Sequence, residues 1–125
     1  MASPPPTAGS TTGPQPRPMA NRRVAPRIAL RGSASVAIGE QLVAAETCDI
    51  SGEGLGFVTP RPISPGRRCA VTFTLPFAGG ERTVTAMVKV AHSTYLARER
   101  FQIGAGFAEL GAEAAEAIRS FLSGG

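Results

Sequence analysis

Short apolar stretches separated by polar or glycine-containing turns run from Ile28 to Leu110. Within them apolar and polar residues alternate, as in CAVTFTL, where Val71, Phe73 and Leu75 fall on one face. A period of two is typical of strands with one buried face. The stretches are IALRGSASVAI, QLVAAETC, LGFV, CAVTFTL, TVTAMVKVAHSTYL and RFQIGAGFAEL. Six such strands predict a mainly β fold, either a small barrel or a rolled antiparallel sheet.

The pattern changes in the last fifteen residues, GAEAAEAIRSFLSGG. Ala114, Ile118 and Leu122 recur every four positions, with Ala117 and Phe121 beside them, which predicts a short helix with one apolar stripe. A helix this short is marginal on its own. We therefore expect it to dock on the sheet, at one mouth of the barrel.

The first twenty residues, MASPPPTAGSTTGPQPRPMA, hold six of the eleven prolines and little that could be buried. This composition predicts a disordered Pro-rich tail over residues 1–20 and a domain over residues 21–125. No apolar run reaches the ~20 residues that span a bilayer, and the start of the chain lacks the apolar core of an export signal. We expect a cytoplasmic protein that makes no membrane contact.

Composition favours one small domain with an anionic partner. The chain has 125 residues, 42% of them apolar, and a net charge of +4. Twelve of its thirteen basic residues are arginine, whose planar fork of donors suits phosphates and the edges of guanine. Composition does not identify that partner.

The sequence offers little for catalysis or metal binding. His92 is the only histidine, Asp49 is the only aspartate, and Cys48 and Cys69 have no paired spacing. A strand residue is the ordinary interpretation of His92, and these groups are too few for a metal site or a Ser-His-Asp arrangement. We predict a protein that is not an enzyme, with no catalytic residue, metal or cofactor.

Two polar stretches are candidates for binding, and the first is NRRVAPR at the start of the domain. Pro26 disfavours a helix in this segment, so Arg22, Arg23 and Arg27 are expected on an extended arm, residues 21–27. The arm could fold over an anionic ligand. It could equally be a solvated basic linker.

The second stretch, TCDISGEGLGF, precedes a strand. It could be only a turn, in which Asp49 and Ser51 bond to nearby backbone and Gly54 supplies a positive φ. It could also bind guanine, because a carboxylate accepts hydrogen bonds from the N1–H and N2–H₂ edge. A glycine would then let a flat base or a phosphate approach closely.

Together, in this order, the two stretches resemble the paired signature of the PilZ domain family, RxxxR followed by [D/N]xSxxG. The resemblance covers about residues 21–123 and includes LGF after the second motif, the strand QIGAGFAEL and the closing helix. It implies a six-stranded, split antiparallel β-barrel with a C-terminal helix that binds the bacterial second messenger cyclic di-GMP.

The resemblance also implies a role for each motif residue. Arg23 and Arg27 match the arginines that contact guanine faces and phosphates. Asp49 and Ser51 match the polar pair of the second motif, and Gly54 matches its closing glycine.

Arg22 stands just before the first motif, where an arginine in this family accompanies cyclic di-GMP bound as an intercalated dimer. The predicted bounds are residues 21–27 for the arm, 28–110 for the barrel and 111–123 for the helix. The resemblance predicts an adaptor whose arm becomes ordered when the ligand binds. That change would be sensed by a downstream protein that the sequence does not identify.

Two other functions remain open. A small basic barrel could bind single-stranded nucleic acid, although the six Phe and one Tyr fit the core better than a stacking platform. A PilZ-like domain could instead bind protein and no nucleotide; the intact motifs argue against this.

Overall fold

Six antiparallel strands close into one barrel in the computed structural model, which describes residues 26–124. The strands are β1 (Ile28–Ile38), β2 (Gln41–Ile50), β3 (Gly54–Thr59), β4 (Arg68–Phe77), β5 (Gly80–Ala97) and β6 (Arg100–Glu109). Their order around the barrel is β1-β2-β3-β6-β5-β4, and β4 pairs with β1 to close it. The predicted fold class is confirmed. The predicted tail, Arg22 and Arg23 lie outside the described residues.

Alternation along the strands fills the barrel interior. On β4, Cys69, Val71, Phe73 and Leu75 are buried, while the residues between them face outward or are partly exposed. Burial of each large apolar side chain contributes about 1.5–3 kcal/mol. The largest fully buried apolar side chains are Phe57, Phe73, Ile50, Leu55, Leu75, Ile103, Val36, Val71 and Val88.

Helix α1 (Ala112–Leu122) packs against β4 and β5. It buries Ala117 and Ile118, and the ring of Phe121 meets that of Phe77 edge-on, with 6.2 Å between centroids. Its N-cap residue, Gly111, makes no side-chain capping bond. The apolar stripe, and not the cap, therefore holds this helix in place.

Two strands have a register shift at the same level of the barrel. On β2 the shift against β3 lies between Thr47 and Asp49, and on β5 one of three shifts against β6 lies between Val90 and His92. A bulge turns side chains that simple alternation would place elsewhere. Because β2 and β5 flank the β3–β6 pair, both bulges border the same outer patch of the barrel.

Candidate functional site

The turn between β2 and β3 is built around Ser51, whose side chain is almost completely buried. Its Oγ accepts hydrogen bonds from the backbone N–H groups of Glu53 (3.1 Å) and Gly54 (3.2 Å). Its own N–H donates to the carbonyl of Gly54 at 2.9 Å. In this structure the hydroxyl therefore stabilises the turn. That Ser51 also binds a ligand stays a prediction.

Gly54 is required by close approach of the backbone and not by its dihedral angles. Among the described glycines, those with positive φ are Gly39, Gly66, Gly80 and Gly124. The positive φ that the turn-only interpretation assigned to Gly54 is therefore not observed. A β-carbon at residue 54 would instead overlap the carbonyl oxygen of Ala105 on β6.

The side chains of Arg27 and Asp49 form an ion pair at one end of the patch. Arg27 immediately precedes β1, and pairing of Ala29 with Asp49 brings the two side chains together. The guanidinium donates from Nε (3.0 Å) and Nη2 (2.6 Å) to the same carboxylate oxygen, Oδ1. The second oxygen, Oδ2, accepts no side-chain hydrogen bond from residues 26–124.

Both partners of this pair are partly exposed, Arg27 by 48% and Asp49 by 30%. Exposed ion pairs contribute only about 0.2–1 kcal/mol to stability. The pair contributes little to the fold, and its main effect is to fix the orientation of a donor fork and a carboxylate beside each other.

Glycines on two neighbouring strands, β3 and β6, extend from this ion pair across the barrel surface. Asp49 pairs with Gly56, Gly56 with Gly104, and Gly104 with His92, so the four residues form one row over four neighbouring strands. Gly54 pairs with Gly106 beside this row. We call the surface of Gly54, Gly56, Gly104 and Gly106 the glycine floor.

The glycine floor lies in an open pocket of about 410 Å³. Of the residues that the sequence predicted for the site, Arg27, Asp49 and Gly54 line this pocket, whereas Arg22 and Arg23 are outside the described residues. The sequence did not identify three further kinds of lining group: the glycines of β3 and β6 beyond Gly54, the amide of Gln102 and the imidazole of His92. The full lining is Arg27, Asp49, Glu53, Gly54, Gly56, Ala91, His92, Gln102, Ile103, Gly104, Ala105 and Gly106.

One signal in the sequence could have indicated the floor. GLG at residues 54–56 and GAG at residues 104–106 both place glycines two apart, on one face of a strand. Glycines weaken a strand unless something approaches its backbone closely. Here two side chains do so, because a β-carbon would lie 2.6 Å from Asp49 Oδ1 at residue 56 and would overlap the His92 ring at residue 104.

The two cysteines are free thiols. Burial raises the pKa of Cys69, and burial together with the negative charge of Asp49 raises that of Cys48. Both therefore stay protonated and weakly nucleophilic at neutral pH. Within residues 26–124, no three His, Cys, Asp or Glu side chains are grouped as metal ligands, and no helix is long and apolar enough to cross a bilayer.

A closed six-stranded barrel with an outer pocket, an arginine before its first strand and an aspartate at the end of the second defines a known class of small β domain. The model of the PilZ domain matches residues 21–124. The chain belongs to the PilZ domain family.

Solved structures share this fold. MotI/DgrA, the inhibitor of motility of Bacillus subtilis, has a TM-score of 0.69 and 16% identity, over 82% of this chain and 51% of that one. PlzA of Borreliella burgdorferi, solved in complex with c-di-GMP, has a TM-score of 0.58 and 16% identity, over 81% of this chain and 41% of that one. This chain thus spans about half or less of each neighbour's length. No curated protein matches its sequence.

Proposed function

We propose that this protein is a bacterial receptor for cyclic di-GMP that binds the dinucleotide between the arginine arm and the DxSxxG turn, over the glycine floor. The observation that carries the proposal is the Arg27–Asp49 pair at the edge of the floor. The membership of the PilZ family and the ligand held by PlzA support the choice of nucleotide.

The pair offers both kinds of contact that guanine needs. Two of the five guanidinium donors of Arg27 are used on Asp49, which leaves three for guanine O6 and N7 or for a phosphate. In this proposal, Oδ2 of Asp49 accepts from the N1–H and N2–H₂ groups of guanine. The ligand can therefore join the existing pair without breaking it.

In this proposal the glycine floor lets a flat ring of the ligand lie against the patch. The spaces that β-carbons would fill at residues 56 and 104 hold the Asp49 carboxylate and the His92 imidazole. Because these side chains lie down against the backbone, a purine can approach the barrel wall closely, and removal of water strengthens each charged hydrogen bond. Exposed charges alone contribute too little for tight binding. Affinity in this proposal therefore depends on the arm covering the ligand, with Arg22 and Arg23 closing over it.

Calorimetric titration with cyclic di-GMP, GTP and a single-stranded oligonucleotide tests the proposal. We expect cyclic di-GMP alone to bind, and Arg27→Ala to weaken it by about 10- to 100-fold, since a hydrogen bond to a charged group contributes about 1.5–3 kcal/mol. Arg61→Ala is the matched control: it removes the same charge from an exposed residue outside the pocket.

Other results would select another function. Equal binding of all three ligands, weakening together as the salt concentration increases, would favour a barrel that binds single-stranded nucleic acid. No heat with cyclic di-GMP from a folded sample would favour a module that binds only protein. Loss of the intact nucleotide on chromatography after incubation would show an enzyme and refute a receptor.

Signal relay through the arm is the finer part of the proposal. A ligand that orders residues 21–27 should protect the peptide bonds after Arg22 and Arg23 from trypsin. Two ligands per chain, reduced to one in Arg22→Ala, would support the intercalated dimer. The downstream partner would be a protein that recognises the covered arm, and a cytoplasmic location remains a prediction.

A further inference from the structure

The end of the glycine floor opposite the Arg27–Asp49 pair is formed by His92. Continued alternation along β5 would turn residue 92 inward, as it does Val88 and Val90. The register shift between Val90 and His92 reverses this, so that Ala91 and His92 both face the pocket. Bulges that re-aim a side chain occur beside functional sites more often than elsewhere.

His92 mirrors Asp49 across the floor. The Asp49 carboxylate leans over Gly56 from β2, and the His92 imidazole leans over Gly104 from β5, with its Nε2 and Cε1 atoms in the space of the missing β-carbon. Measured along the curved sheet, the two residues are three strand spacings apart, or about 14 Å. A ligand that spans the floor from the ion pair would reach the imidazole.

The charged groups around the imidazole are few. In the pocket these are Arg27, before β1, and Asp49 and Glu53, at the end of β2 and in the turn that follows it. From β6 the neutral amide of Gln102 faces it, and on β5 itself Lys89 pairs with Gly106 beside the floor. Within residues 26–124 the imidazole makes no side-chain hydrogen bond, so its ring N–H has no competing acceptor there.

We propose that His92 is a further ligand-binding residue, which donates a hydrogen bond from its imidazole to an acceptor oxygen or nitrogen of the bound dinucleotide. This inference rests on the proposed function. The PilZ signature does not contain this residue, and the contact would place a recognition group at each end of the floor.

The contact has a measurable consequence, because histidine is the side chain that ordinarily changes charge around neutral pH. A protonated imidazole beside a ligand with two negative phosphates attracts it more strongly than a neutral one. Binding should therefore tighten by about tenfold as pH falls from about 8 to about 5.5, with uptake of a proton by the complex.

The test is calorimetric titration of the full chain with cyclic di-GMP at about pH 5.5 and about pH 8, in two buffers of different ionisation enthalpy. His92→Gln keeps a donor that cannot titrate, and His92→Leu removes the donor. We expect proton uptake in the wild type only, a pH-independent affinity in His92→Gln, and about tenfold weaker binding at the lower pH in His92→Leu. Equal melting temperatures show that both variants are folded.

The outcomes separate the two proposals. Carboxyl groups ordinarily titrate below this pH range and are kept in every variant, so a pH effect that persists in His92→Gln overturns the role of His92. Binding that is the same in all three proteins at both pH values also overturns it, while the receptor function stands. No binding by the wild type at either pH overturns the inference and the receptor function together.

Discussion

Gly54→Ala is the sharpest test of why the second motif ends in glycine. The structure gives residue 54 no positive φ, so alanine has no intrinsic backbone penalty there. Its β-carbon, however, would overlap the carbonyl oxygen of Ala105 and come within 3.2 Å of the Cα atom of Gly106. Both obstacles are backbone atoms of β6, which cannot turn aside as a flexible side chain can.

The expected loss of stability in Gly54→Ala follows from the backbone that must move. Relief of the overlap requires β3 and β6 to separate at the Gly54–Gly106 pair, next to Leu55, which is fully buried. Overpacking ordinarily costs about 1–3 kcal/mol, and a rigid obstacle places this case at the upper end. Replacing a strand glycine offsets about 0.5–1 kcal/mol of that through lower chain entropy. The net loss of about 2 kcal/mol should lower the melting temperature by about 8–16 °C.

Thermal and urea unfolding followed by circular dichroism measure this loss. Gly79→Ala is the matched control, since residue 79 lies in the β4–β5 turn, has no positive φ, and has open space where the β-carbon would stand. We expect the control to stay within about 0.5 kcal/mol of the wild type. Equal midpoints for both variants would show that β6 does not approach residue 54 as closely as described, and the steric account of this glycine would be refuted.

Three further predictions concern the same patch. The β-carbon of Gly56→Ala would meet the Asp49 carboxylate first, a side chain that can turn aside. We therefore expect a loss of less than about 1 kcal/mol in urea unfolding but clearly weaker binding of cyclic di-GMP in calorimetry, and a large loss of stability with unchanged binding would contradict the steric argument. Ser51→Ala leaves two backbone N–H groups of the turn without their acceptor and should lower the free energy of unfolding by about 1–3 kcal/mol, whereas an unchanged value would deny its structural role. Because the pKa of both thiols is raised, alkylation near pH 8 should be slower than for a free cysteine, and the buried Cys69 should react more slowly than Cys48; fast reaction of Cys69 would contradict its burial.

The sequence predicted the strands well where side chains alternate and less well where glycines replace them. CAVTFTL lies within Arg68–Phe77, and the helix predicted over 111–123 is observed at Ala112–Leu122. The predicted strand LGFV is too short, because the observed β3 begins at Gly54. A glycine carries no hydropathy signal for an outward face, so the pattern did not include it. Strand ends depend on hydrogen bonds between strands, which a pattern along the chain does not contain.

The site was predictable only in part, for a similar reason. Arg27 and Asp49 were found through motifs whose members lie on consecutive elements. His92 and Gln102 reach the same pocket because β6 pairs with β3, and β5 with β6, around the barrel. That order, and the bulge that turns His92 outward, come from the closure of the sheet. The local periodicity of apolar residues predicts neither the strand order nor the bulge.

The DxSxxG motif therefore combines two different tasks, and this changes how its variants should be interpreted. Ser51 and Gly54 shape the turn and the β3–β6 contact, whereas Asp49 presents its carboxylate to the pocket. A variant of Ser51 or Gly54 that no longer binds cyclic di-GMP can fail because the turn is damaged. Arg27 contributes little to stability and makes its side-chain bonds only to Asp49 within the described residues. Loss of binding in Arg27→Ala, with an unchanged melting temperature, is thus the result that reports ligand contact directly.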